Sequence, residues 1–341
     1  MTLQNEHIDN TLVVVNDEPY CIWEVNLIER NKEFIEGIDT DYFKFISETF
    51  IAIDDKKRES IALRIAYHHA LETMFSFIGA FVQSPGCVYA WLAKCSTPTL
   101  RAVIQRISKS DKALYTYWNI QPLTWESITE IIFQWYCPKT EKNKRTSMLF
   151  AKLWQRLADE YLDQKHIDEY NSLKHGLRIK SGGFTLAVGS EHKYGVPPPK
   201  EEMKVIGGSD CGTTYFKIES SGGEKNNRSL CSKRTSLNWR MEKVALLIQI
   251  ISMSIRNIVS ALQIVNGTEA NTVQFQRPID DSDFEKPWEF HTGVLSCNMD
   301  YVIDEQFIIP TTREELLKKI KTKMKSRNSG DETDLNKACP S

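Results

Sequence analysis

The chain has 341 residues, 41% of them hydrophobic and 26% charged, which is enough apolar material for a sizeable buried core. Lys plus Arg number 43 and Asp plus Glu 45, a net charge of −2, so no chain-wide field attracts nucleic acid and any such contact must come from a local patch. The eight cysteines include no Cys-x-x-Cys pair, which argues against a cysteine-based zinc site, and the polar start MTLQNEHIDN lacks the pattern of a signal peptide. The expectation is a cytoplasmic protein with reduced thiols, mostly buried, and with no metal, cofactor or membrane contact.

In chain order, residues 1–38 read as an extended arm. Within TLVVVNDEPYCIWEVN, β-branched and aromatic runs flank Asn16-Asp17-Glu18-Pro19, the composition of a short hairpin. From residue 39 the period becomes helical: Phe43, Ile46, Phe50, Ile61, Ile65, His68, His69 and Glu72 follow spacings of three and four until Ser84-Pro85-Gly86. Helical patterns resume over 88–94 and 99–108, and Thr124 suits an N-cap for a helix over 125–135. Pro138 and the run KTEKNKR read as a solvated connection. Residues 148–177 then read as one long helix or two joined end to end.

Residues 182–223 are rich in Gly and contain Pro197-Pro198-Pro199, with strand character at 184–188 and 214–219. These two segments are expected to pair as an inserted β-hairpin packed beside the face carrying residues 171–175. Residues 225–234 read as a polar, basic loop. The strongest apolar helix covers 237–265 and stops at Asn266-Gly267; its longest apolar run, 244–251, is too short to cross a bilayer. A mixed region over 268–325 should hold a strand at 301–309 and an amphipathic helix at 312–324, followed by a disordered tail over 326–341. The fold class expected is mostly α: a helical bundle over 39–267, an inserted β-hairpin and a small mixed C-terminal region.

One stretch carries chemistry. In YNSLKHGLR, residues 170–178, Asn171, Lys174, His175 and Arg178 stand at i, i+3, i+4 and i+7 and share one helical face. An imidazole there can accept or give a proton near neutral pH, Asn171 can orient it, and Lys174 and Arg178 can hold phosphate. The plain reading is a last helical turn whose cations complement the helix dipole.

The pattern Tyr170-Asn171-x-x-Lys174-His175 resembles the signature of HEPN-like proteins, helical bundles of prokaryotic defence and toxin–antitoxin systems. Active members carry Arg, then a polar residue that is often Asn, then His a few positions on. Asn171 matches the polar residue and His175 the histidine, while Tyr170 stands where the family has arginine. The resemblance therefore implies a non-catalytic or regulatory member, a homodimer that binds RNA or a protein partner. The alternatives are a metal-independent endoribonuclease using His175 with Lys174, Arg178 or Arg64, and a structural helical protein without such a site. A second segment, Arg64-Ile-Ala-Tyr-His68-His69, places His69 at the family's distance from an arginine. Arg64 and His68 are also i, i+4 neighbours suited to a buried polar pair. If the two helices pack together, Arg64 can supply the positive charge that Tyr170 lacks.

Overall fold

The computed structural model describes residues 8–52, 54–220, 228–298 and 308–328. The chain opens with an antiparallel hairpin, β1 (Ile8–Val15) and β2 (Glu18–Val25), turned at Asn16 with φ of +57°, a left-handed position that asparagine tolerates better than most residues. Val13 and Val15 sink into the core, worth about 1.5–3 kcal/mol apiece if fully buried. Gln83 fastens the turn: its amide accepts from the Asn16 N–H at 2.9 Å and donates to the Asn16 carbonyl at 3.0 Å. The N-terminal arm is thus a hairpin and a helix, α1 (Leu27–Glu36), docked on the body.

Next come α2 (Tyr42–Ile51) and α3 (Lys56–Gln83), the latter started by Asp55, whose side chain accepts from the Arg58 N–H. The helix α4 (Val88–Lys94) crosses α3 where a methyl group on Gly79 would stand 2.3 Å from the Trp91 ring, so only glycine permits that approach. Two short helices follow, α5 (Thr97–Ser108) behind the Ser96 cap and α6 (Trp125–Phe133), on which Thr124 and Ser127 cap each other reciprocally. The KTEKNKR run lies within the first turns of α7 (Glu141–Leu162) rather than in a connection, because Thr140 caps it. At Asp163 the chain breaks into α8 (Gln164–Lys174), with Asp163 accepting from the N–H groups of Lys165 and His166.

Strands β3 (Ile179–Ser181), β4 (Thr185–Val188), β5 (Lys204–Gly208), β6 (Gly212–Ser220) and β7 (Leu230–Asn238) precede the long helix α9 (Met241–Val265), and β8 (Ser296–Asn298) and α10 (Arg313–Asn328) close the described chain. Helices α3 and α9 form the centre of the core, and α7 joins them through Trp154, whose indole N–H donates to Ser254 at 3.0 Å. By length and composition α9 is apolar enough to cross a membrane, but 72% of its most apolar window is buried inside the protein, the pattern of a core helix.

The mostly α expectation is overturned. Among the described residues the protein is 53% helix and 17% strand, with three antiparallel sheets of two, four and two strands, and is a mixed α/β fold. Segments 184–188 and 214–219 do not pair with each other: β4 pairs with β5, while β6 lies between β3 and β7 in the order β3-β6-β7-β8. The segment over 225–234, read as a loop, includes the first half of β7. Its sequence LCSKRTSLN hides a strand because polar residues alternate with polar ones, so the contrast between a buried and an exposed face is missing. The helix expected over 312–324 forms as α10 and is exposed over Arg313–Lys325 apart from half-buried Leu316, and most of the strand expected at 301–309 lies outside the described residues. The described cysteines are unpaired, yet only Cys87 is buried.

Candidate functional site

The two segments singled out by sequence do pack together, because α8 lies across α3. The meeting is not the one expected. The Arg64 guanidinium goes to Glu169, one residue before Tyr170, through two parallel hydrogen bonds of 2.9 and 2.7 Å. Such a fork-to-fork pair is geometrically specific and strong for its type. Glu169 is 1% exposed, and its Oε1 also accepts from the Trp239 indole at 2.8 Å. Burial alone would raise this carboxyl; the Arg64 charge and His68 overcome burial and hold it well below the usual carboxylate range.

His68, wholly buried, stacks on the Tyr170 ring with centroids 5.0 Å apart. Its Nε2 sits 3.4 Å from Glu169 Oε2 without the alignment of a hydrogen bond, and its Nδ1 is 3.0 Å from Nε2 of His166. Burial lowers both imidazoles, and for His166 the neighbouring His68 and Arg64 lower it further, so both are neutral at physiological pH. The two rings face each other nitrogen to nitrogen, so their lone pairs do not converge on a cation.

Tyr170 is the hinge between this interior and the surface. Its hydroxyl donates to Glu72 at 2.7 Å, and Thr97 donates to the other oxygen of the same carboxylate. Burial would raise Glu72, but these two donors and Lys174, 3.7 Å away, bring it below its ordinary value. Lys174 also lies 5.2 Å from the Tyr170 ring centroid. His69, exposed on the same side as Glu72, lies edge-on to Phe43 on α2.

The remaining predicted site residues face water. Lys174, His175 and Arg178 are exposed and Asn171 is half-buried. The backbone carbonyl of Asn171 accepts from the His175 N–H and from the Arg178 guanidinium, closing the helix end. Gly176 and Leu177 then reverse the chain at φ of +87° and +49°. Among the described residues, neither Arg64 nor His69 forms a hydrogen bond or ion pair with His175.

The chain passes directly from Arg178 into β3. Lys180 lies opposite Thr214, which shares a sheet face with Phe216 and Ile218; Phe216 lies opposite Arg234. The alternate residues turn inward, Tyr215 into the interior and Lys217 onto Asp168 of α8 at 3.0 Å. The outward face therefore combines basic side chains with an aromatic ring that is 58% exposed. Phe216, Glu169, His166 and Trp239 were not singled out from sequence. Only Phe216 carried a signal, as the aromatic of a strand-like run beside a basic one. No family model matches the chain, nor does any curated protein or solved structure.

Proposed function

We propose that the protein is a non-catalytic binder of single-stranded RNA, acting in the cytoplasm, whose contact surface runs from the exposed end of α8 onto the outward face of the four-stranded sheet. The observation that carries this reading is Phe216, exposed on an open sheet face, with Arg234 opposite it and Lys180 on the same face. Unpaired bases stack on such rings whatever their sequence, while cations track the phosphates. Lys174, His175 and Arg178 extend the basic surface along the chain. Cleavage is disfavoured by the same geometry. Tyr170 stands at the resembled family's arginine position and is committed to Glu72, and Arg64 is committed to Glu169. The resemblance adds association with prokaryotic defence and pairing of two chains, which a solution mass measurement reads directly.

The test is anisotropy of a labelled short single-stranded RNA, with its duplex as the comparison and EDTA present. The single strand binds more tightly, survives intact, and dissociates as salt is raised. Phe216→Ala and the double change Lys174→Ala with Arg178→Ala each weaken binding. Cleavage in EDTA would replace this reading with an endoribonuclease, and equal affinity for parent and variants would remove it.

A further inference from the structure

The N-terminal end of α8 borders a separate space. A cleft of about 420 Å³ opens between α8, the end of β7, the first turn of α9 and a short turn over Lys286–Glu289, a volume suited to one small molecule. Its acidic groups are satisfied from within the protein. Glu169 holds Arg64 and Trp239; Glu160 accepts from the Tyr67 hydroxyl, the Trp288 indole and Lys243; Asp163 caps α8. Two cations at the rim are not consumed in this way. Arg240 is exposed and has no ion pair or hydrogen bond among the described residues, and Lys165 reaches only the hydroxyl of Ser296, at 3.2 Å.

The floor of this cleft has a defined polarity. With Glu169 ionised, its charge 3.4 Å away favours the His68 tautomer protonated on Nε2, although the two atoms are not aligned as a hydrogen bond, and Nδ1 is then the acceptor. His166 then carries its own proton on Nε2 and donates it to His68 across 3.0 Å. This leaves a lone pair on His166 Nδ1. The ring is 7% exposed, lines the cleft, and makes no hydrogen bond through Nδ1 among the described residues. A ligand that completes the site must bring a hydrogen-bond donor and negative charge together. A phosphodiester or a carboxylate brings acceptors only, whereas the monoanion of a phosphomonoester carries one P–OH beside anionic oxygens.

We propose that this cleft is a phosphomonoester-binding site, in which His166 Nδ1 accepts from the phosphate hydroxyl while Arg240 and Lys165 hold the anionic oxygens. The site is independent of the RNA surface, and either assignment can fail alone.

Calorimetric titration of the full chain with phenyl phosphate, inorganic phosphate and dimethyl phosphate tests it. Phenyl phosphate binds saturably at one site, and dimethyl phosphate, lacking P–OH, binds about tenfold more weakly or worse. Inorganic phosphate binding as tightly as phenyl phosphate would assign the site to free phosphate and overturn the ester. His166→Gln keeps a donor toward His68 and moves the remaining acceptor off the Nδ1 position, so it reduces the preference for phenyl over dimethyl phosphate. Arg240→Ala and Lys165→Ala, both at exposed positions, weaken phenyl phosphate about tenfold and carry the test if His166→Gln fails to fold. All of these variants retain RNA affinity. No saturable binding, or variants that bind and discriminate like the parent, overturns the proposal.

Discussion

The two sides of α8 carry similar residue types and do opposite work. The inner side presents His166, Glu169 and Tyr170 to Arg64, His68 and Glu72, which recur every fourth residue on α3. The outer side presents Asn171, Lys174 and His175 to water. A charge on the inner side has left water and survives only because its partner is complete; a charge on the outer side is screened and interchangeable. The difference teaches that a polar stripe acquires its role from the element laid across it, since both sides are polar and each carries a histidine.

The sharpest way to break this contrast is to remove one inner partner. Glu169→Ala strands the Arg64 guanidinium and the Trp239 indole, and should cost about 3–5 kcal/mol in urea denaturation. Lys174→Ala should stay within about 0.5 kcal/mol of the parent. Equal costs would abolish the distinction.

Acid probes the inner side next. Burial depresses His68 and His166, so an unfolded chain takes up protons as pH falls below about 6.5 while the folded interior does not, and stability declines from there. Glu169 is also depressed in the folded state, so its stabilisation is complete above its unfolded value near 4.5 and is lost as pH falls below that. The melting temperature should therefore hold near neutrality, fall below pH 6.5 and fall more steeply below 4.5. A melting temperature level from pH 7 to pH 5 contradicts the buried imidazole pair.

Tyr170→Phe removes one donor to a carboxylate and keeps the ring on His68, which sets its cost at about 1.5–3 kcal/mol. The smallest effect on stability belongs to the outer side: His175→Ala should leave the denaturation midpoint unchanged while weakening RNA binding severalfold. A shifted midpoint would mean that His175 is structural.

Local signals were legible wherever a cap or stop acts within one turn. Thr124 begins its helix through Ser127, and Gly267 ends α9 at φ of +96°, both as their residue types dictate. The Arg64–His68 spacing pointed to a buried polar pair, but the two do not bond to each other: Arg64 goes to Glu169, and buried His68 faces His166. Glu169 was not legible: it follows Asp168, another carboxylate, and nothing nearby separates the one that binds half-buried Lys217 from the one locked onto Arg64, 105 residues away. The sheets were missed for a related reason. β4 and β5 end in or border glycines, and β7 alternates polar with polar, so the period-two contrast that marks a half-buried strand is weak.

Asn31, fully buried on α1, donates to the Pro85 carbonyl and to Asn266 at the end of α9, and accepts from the Val88 N–H. This knot joins positions 235 residues apart. During synthesis the Pro85 and Val88 bonds of Asn31 can form early, while the bond to Asn266 waits for most of the chain, an interval of roughly ten to fifty seconds at ordinary elongation rates. Through that interval one amide hydrogen of Asn31 lacks its partner, and the residue that caps the end of α9 is the latch that closes the amino-terminal segment onto the body.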